Sequence, residues 1–98
     1  MSVQLTFKLS DQKSVNTILQ ALETYKARLR DSIERTNRQL KNFENSYKVT
    51  TDFFLKKMSA EDLTGGDLEY VEWAGEAKIL EGLNAELNEL ENARYHVS

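Results

Sequence analysis

Few residues in this sequence have the type and spacing to do chemistry. His96 is the sole histidine of the 98-residue chain and stands two positions from its end. It reads as an end residue rather than a base or ligand. The chain contains no cysteine, which excludes a thiolate nucleophile, a disulfide staple and a zinc–sulfur site. No Ser or Thr has a histidine placed to support it, so nucleophilic catalysis lacks its base. Gly65-Gly66 is a turn signal, not a glycine-rich phosphate loop. Asp62, Asp67, Glu69, Glu72 and Glu76 form an acidic cluster. Carboxylates on bundle helices bind metals when Glu-x-x-His pairs accompany them, and this chain has no such pair. Acids in the first turns of a helix are favoured by its dipole alone. No catalytic, metal-binding or cofactor-binding residue is assigned, and the chain reads as a non-enzymatic protein.

Binding chemistry has more candidates. Lys26, Arg28, Arg30, Arg35, Arg38 and Lys41 fall on one polar stretch that could track phosphates. Gln4, Thr6 and Lys8 would face outward from a strand paired across a dimer, as in β-ribbon repressors. Those repressors continue from the strand into a short helix and a turn, whereas here the helix after it runs on. Phe53, Phe54, Tyr70 and Trp73 make an aromatic group near the middle of the chain. They serve either as a small core sealing a helix pair or as an anchor for a partner, since Trp and Tyr are enriched among binding hot spots.

Periodicity and capping predict the elements that must position these residues. Apolar side chains recur at Val15, Ile18, Leu22, Tyr25, Leu29, Ile33, Leu40, Phe43 and Tyr47, with Thr36 filling the one gap. Steps of three and four are the period of one helix face. Neither Gly nor Pro interrupts the run, so one long helix is predicted over 11–47, about 52 Å of rise. Its outer face is charged, from Lys26 to Lys41. Ahead of it, residues 2–10 alternate strictly: Val3, Leu5, Phe7 and Leu9 on one side, Gln4, Thr6 and Lys8 on the other. That is the pattern of a half-buried strand, or of an extended arm. No later segment reads as a second strand. The strand would pair with its copy in a dimer, pair with another protein's sheet edge, or lie along the helices.

After Asn45-Ser46 the pattern loosens, and Thr50-Thr51-Asp52 supplies hydroxyls for a new helix cap. A short helical connector is predicted over 51–63, with Ser59-Ala60-Glu61-Asp62 spaced as a second cap. Gly65-Gly66 breaks the chain, and Asp67 can cap the last helix, predicted over 67–94. One stripe on that helix is Tyr70, Trp73, Ala77, Leu80, Leu83, Leu87 and Leu90; a second is Val71, Gly75, Ile79 and Gly82. Two stripes need more than one neighbour.

Charge is divided along the chain. Residues 1–58 carry eleven Lys/Arg against six Asp/Glu, a balance of +5, and residues 59–98 carry two against ten, a balance of −8. Either the acidic half folds against the basic half or one half meets an oppositely charged partner. No apolar run reaches membrane-spanning length, and the N-terminus lacks the cationic start and apolar core of a signal peptide. A cytoplasmic protein with no membrane contact is the expectation.

Thr51-Asp52-Phe53-Phe54-Leu55-Lys56-Lys57-Met58, the Gly-Gly break, and Asp67-Leu68-Glu69-Tyr70-Val71-Glu72-Trp73 together resemble a group of short prokaryotic helical proteins. Members have a Phe-rich turn before an acidic, aromatic helix start, and are thought of as the antitoxin-like half of a toxin–antitoxin pair. The resemblance covers about residues 50–80. It implies binding and neutralisation of a small effector protein, a cognate toxin, through Phe53, Phe54, Tyr70, Glu72 and Trp73, and carries no catalytic residue with it.

The fold class is therefore all-α: a long antiparallel helical hairpin, coiled-coil-like, with a short connecting helix and the N-terminal strand or arm. A helix pair encloses no core, whereas four helices do, so a homodimer with four helices is expected. Val3, Leu5, Phe7 and Leu9 would pair the strands. The leading functional expectation is an antitoxin-like interaction module. A nucleic-acid-binding regulator and a self-assembling coiled-coil scaffold are the alternatives.

Overall fold

The computed structural model describes residues 4–7 and 12–97. Three α-helices dominate: α1 is Gln12–Tyr47, α2 is Thr51–Lys57 and α3 is Gly66–Glu91. A single 3-10 turn, Ala60–Asp62, lies between α2 and α3. Two four-residue strands, β1 at Gln4–Phe7 and β2 at Arg94–Val97, complete the chain. The residues fall into two bodies, Ile33–Gly82 and the remainder, Met1–Ser32 with Leu83–Ser98.

The body of Ile33–Gly82 holds an aromatic core. Leu40, Phe54, Leu63 and Trp73 are buried, and Phe43, Tyr47, Met58, Tyr70, Ala77 and Leu80 pack against them. Phe43 and Tyr47 both stack on Trp73, and Tyr47 also bonds to Glu69. Later residues of α1 thus meet earlier residues of α3, so the two helices run antiparallel in this body. Thr36 is buried as well, which explains why the apolar row can pass through a polar residue at that point.

Local chemistry ends one helix and starts the next. Lys48 adopts φ 58°, the left-handed conformation that stops α1 after Tyr47. Thr50 is the N-cap of α2: its hydroxyl accepts the Phe53 N–H at 3.1 Å. Asp52 in the first turn and Lys56-Lys57 in the last suit the helix dipole. Thr50→Ala should therefore cost about 1 kcal/mol, read as a lower urea midpoint at unchanged slope.

The two caps predicted downstream have different outcomes. Ser59 and Asp62 close a turn, the Ser59 N–H donating to Asp62 Oδ2 at 2.9 Å. Asp67, in contrast, lies inside the first turn of α3 and does not cap it. The start of α3 is Gly66 itself, at φ +63°, a conformation that glycine adopts without strain. Tyr47 and Glu69 secure the turn before it. The Tyr47 hydroxyl donates to Glu69 Oε1 and accepts the Thr64 N–H at 2.9 Å.

In the other body, Val15 and Leu29 are buried on α1. Two corrections to the predicted faces arise there. Lys26, expected on the charged outer face, is buried and pairs with Glu23 at 3.2 Å. Tyr25, expected in the apolar seam, is exposed, and its hydroxyl donates to Glu86. The carboxylate it faces raises the Tyr25 phenol above its ordinary pKa. Arg30 and Glu91 form an ion pair at 3.0 Å.

The end of α3 is also corrected. The helix stops at Glu91 rather than continuing to residue 94. Asn92 turns back on it, its side-chain amide donating to the Asn88 carbonyl at 2.8 Å. Arg94–Val97 then lies parallel to Gln4–Phe7, with Leu5 opposite Tyr95 and Phe7 opposite Val97. The N-terminal segment thus has an in-chain pairing partner, which no pattern in the sequence announces. His96, expected to be an end residue, sits opposite Thr6. Val3 and Leu9 lie outside the described residues. A parallel pair needs a long crossover, and the three helices between the two strands supply it.

Candidate interaction surface

The five residues singled out for partner binding separate into two groups. Trp73 and Phe54 are fully buried, their rings stacked 3.9 Å apart and 4° from parallel. The Trp73 indole also stacks on Phe43 at 5.2 Å, and its N–H donates to the Thr51 hydroxyl at 3.0 Å. This corrects their candidate role: neither can touch a partner while the core is intact. Tyr70 is half-buried, tilted against Phe54 at 5.0 Å. Phe53, 47 % exposed, and Glu72 remain on the surface.

The surface that does face outward is the second stripe of α3. Leu68 is 71 % exposed, Val71 65 % and Ile79 52 %. Gly75 and Gly82 share this side of the helix. Positions 68, 71, 75, 79 and 82 advance by three, four, four and three, the spacing of one helix face. The sequence marks this stripe, minus Leu68, as needing a neighbour. Among the described residues of its body, nothing covers it.

The glycines sharpen the point. A Cβ built at Gly75 or at Gly82 would meet no atom within 4 Å. Packing within the chain therefore does not require glycine at either position. Gly75→Ala and Gly82→Ala should each stabilise the isolated protein by up to about 0.8–1.0 kcal/mol, the helix-propensity difference. Denaturant midpoints at constant slope would show this.

Carboxylates border the same face. Asp67 and Glu72 flank Leu68 and Val71, and Glu81 lies further around the helix; all three are exposed and make no ion pair among the described residues. Lys26–Glu23, Arg38–Glu34 and Lys56–Asp52 each close within one helix. Arg30–Glu91 joins the basic half of the chain to the acidic half.

No protein-family model matches this chain, and no curated protein or solved structure matches it either.

A groove of about 540 Å³ opens beside the core, with Leu40, Leu55, Ala77 and Leu80 as its apolar lining and Lys41 and Asp52 among its polar residues. Among the described residues, no group of three or more His, Cys, Asp or Glu could hold a metal ion. The acidic cluster named from the sequence is instead spread over a turn and a helix, with Asp62 capping Ser59 and Glu69 bonded to Tyr47. No described helix is long and apolar enough to cross a membrane.

Proposed function

We propose that this protein is a non-enzymatic interaction module that binds and neutralises a small basic effector protein, in the manner of an antitoxin. The observation that carries the reading is the unneutralised acidic side of α3. The chain segregates charge by sequence, +5 in residues 1–58 and −8 in residues 59–98. Yet Asp67, Glu72 and Glu81 remain unpaired among the described residues, while several cations pair inside their own helices. A surface so arranged draws in a positively charged protein and orients it. The resemblance of residues 50–80 to antitoxin-like proteins supports the same reading. Phe53, Tyr70 and Glu72 stay accessible to a partner, whereas Phe54 and Trp73 support the surface from beneath.

Self-association belongs to this proposal: two copies bring four helices around a shared seam, in a cytoplasmic homodimer. Sedimentation at micromolar concentration should give the dimer mass, and a monomer mass would remove this part of the reading.

The neutralising role is tested by co-expression with the product of the neighbouring gene, then size-exclusion chromatography. Co-elution, together with relief of any growth arrest that the neighbour causes alone, is the expected result. Separate elution would sink it. If instead the pure protein retards DNA in a salt-dependent way, the nucleic-acid alternative replaces it.

A further inference from the structure

We infer that the exposed face of α3 between Leu68 and Gly82 is the seat of a cationic amphipathic helix belonging to another protein. The inference rests on the interaction-module reading and names the kind of surface that module takes. The row Leu68, Val71, Gly75, Ile79, Gly82 lies on one side of α3 and spans fourteen residue steps, about 21 Å of helix. That is the footprint of a partner helix of about four turns, laid along the row in the helix-in-groove manner.

Three observations select the occupant. The row is apolar and outward-facing, so the occupant must bring an apolar seam of its own. Apart from their chain neighbours and their own helix backbone, Gly75 and Gly82 have no atom within 4 Å of the Cβ position. They let a second backbone approach where any side chain would hold it off. The flanks are acidic on balance: Asp67, Glu72 and Glu76 lie beside the row against Lys78, while Glu69 turns inward to Tyr47. An occupant with Lys or Arg beside its seam gains from these flanks, and one with Glu or Asp is repelled.

The same charges disfavour a second copy. Two α3 faces would set acid rows against each other. The basic outer side of α1 in this body, with Arg38, Lys41, Asn42 and Asn45 exposed, offers no apolar seam to match Val71 and Ile79.

The test uses the full chain and two synthetic helical peptides of about four turns. They share one Leu/Ile seam; one is flanked by Lys and Arg, the other by Glu. Fluorescence anisotropy of the labelled peptides should show binding of the cationic peptide, weakening as salt rises, and none of the anionic one. Val71→Glu with Ile79→Glu should weaken binding by about tenfold or more. Both positions are exposed, so helicity and melting temperature should be unchanged. Gly75→Ala should raise the melting temperature and weaken peptide binding together, a combination that a purely structural glycine would not produce.

Failure of the cationic peptide to bind, equal binding of both peptides, or equal binding by the double variant overturns the inference. So does sedimentation showing a dimer that Val71→Glu with Ile79→Glu dissociates, because the face would then belong to a second copy. A complex with the neighbouring gene product that tolerates the double variant overturns this inference and leaves the module reading standing. Absence of that complex, alongside face-dependent binding of the cationic peptide, overturns the neutralising role and supports the inference.

Discussion

Trp73→Ala should destabilise the protein by about 3–5 kcal/mol, the range for emptying a large aromatic site in a core. Trp73 is fully buried and stacks on Phe43, Tyr47 and Phe54. Truncation leaves a cavity bounded by three rings from two different helices, which cannot all collapse into it. It also leaves the Thr51 hydroxyl without the indole N–H that donates to it at 3.0 Å. Urea denaturation monitored by far-ultraviolet circular dichroism provides the measurement. Trp73→Phe separates the two contributions. It retains a ring and loses the hydrogen bond, so about 1–2 kcal/mol is the expected loss. A near-neutral Trp73→Ala that abolished partner binding would contradict the burial and move Trp73 to the interface.

Phe54→Ala should cost about 3–5 kcal/mol, whereas Phe53→Ala should stay within about 0.5 kcal/mol of the wild type. Nothing in the chemistry of the two side chains distinguishes them. Position on α2 does. Phe54 points into the core, fully buried, 3.9 Å from the Trp73 ring and 5.0 Å from Tyr70. Phe53 lies about a hundred degrees around the helix and is 47 % exposed. Because Phe54 and Trp73 share one contact, their effects should not add. A double-mutant cycle should return a coupling of about 0.5–3 kcal/mol, and additive losses would show that the stack contributes nothing of its own. A partner-binding assay on Phe53→Ala provides the functional counterpart. Loss of binding at unchanged stability would assign Phe53 to the recognition surface.

The long helix is legible in the sequence because its signal is redundant. Nine apolar positions and Thr36 repeat one period without a breaker, and any one misread residue leaves the period intact. Tyr25 and Lys26 illustrate the limit of that signal. Adjacent in sequence, they are expected on opposite sides, yet the tyrosine is exposed and the lysine buried. A long aliphatic stem can lie along apolar neighbours while its charge pairs locally, here with Glu23. A phenol tolerates solvent, and here its hydroxyl donates a hydrogen bond to Glu86.

The strand at Arg94–Val97 is hidden for another reason. Four residues are too few for alternation to be told from the end of a helical row. Its partner lies about ninety residues away, beyond the reach of any local pattern. The second stripe of α3 is visible as apolar spacing, but spacing cannot say whether a neighbour is present. Leu68 stands at the predicted start of the last helix, outside both stripes, yet it is the most exposed member of that face.

By itself the sequence determined the helical class, the long helix, the break at Gly65-Gly66, the Thr50 cap region and the segregation of charge. Each is encoded within a turn or two of backbone, where propensity, period and capping act directly. Only the tertiary structure decided which aromatic residues are core and which are surface, and that Leu68, Val71 and Ile79 stand exposed on one face of α3. Burial is a property of what stands opposite a side chain, and what stands opposite Trp73 or Val71 is set by residues tens of positions away.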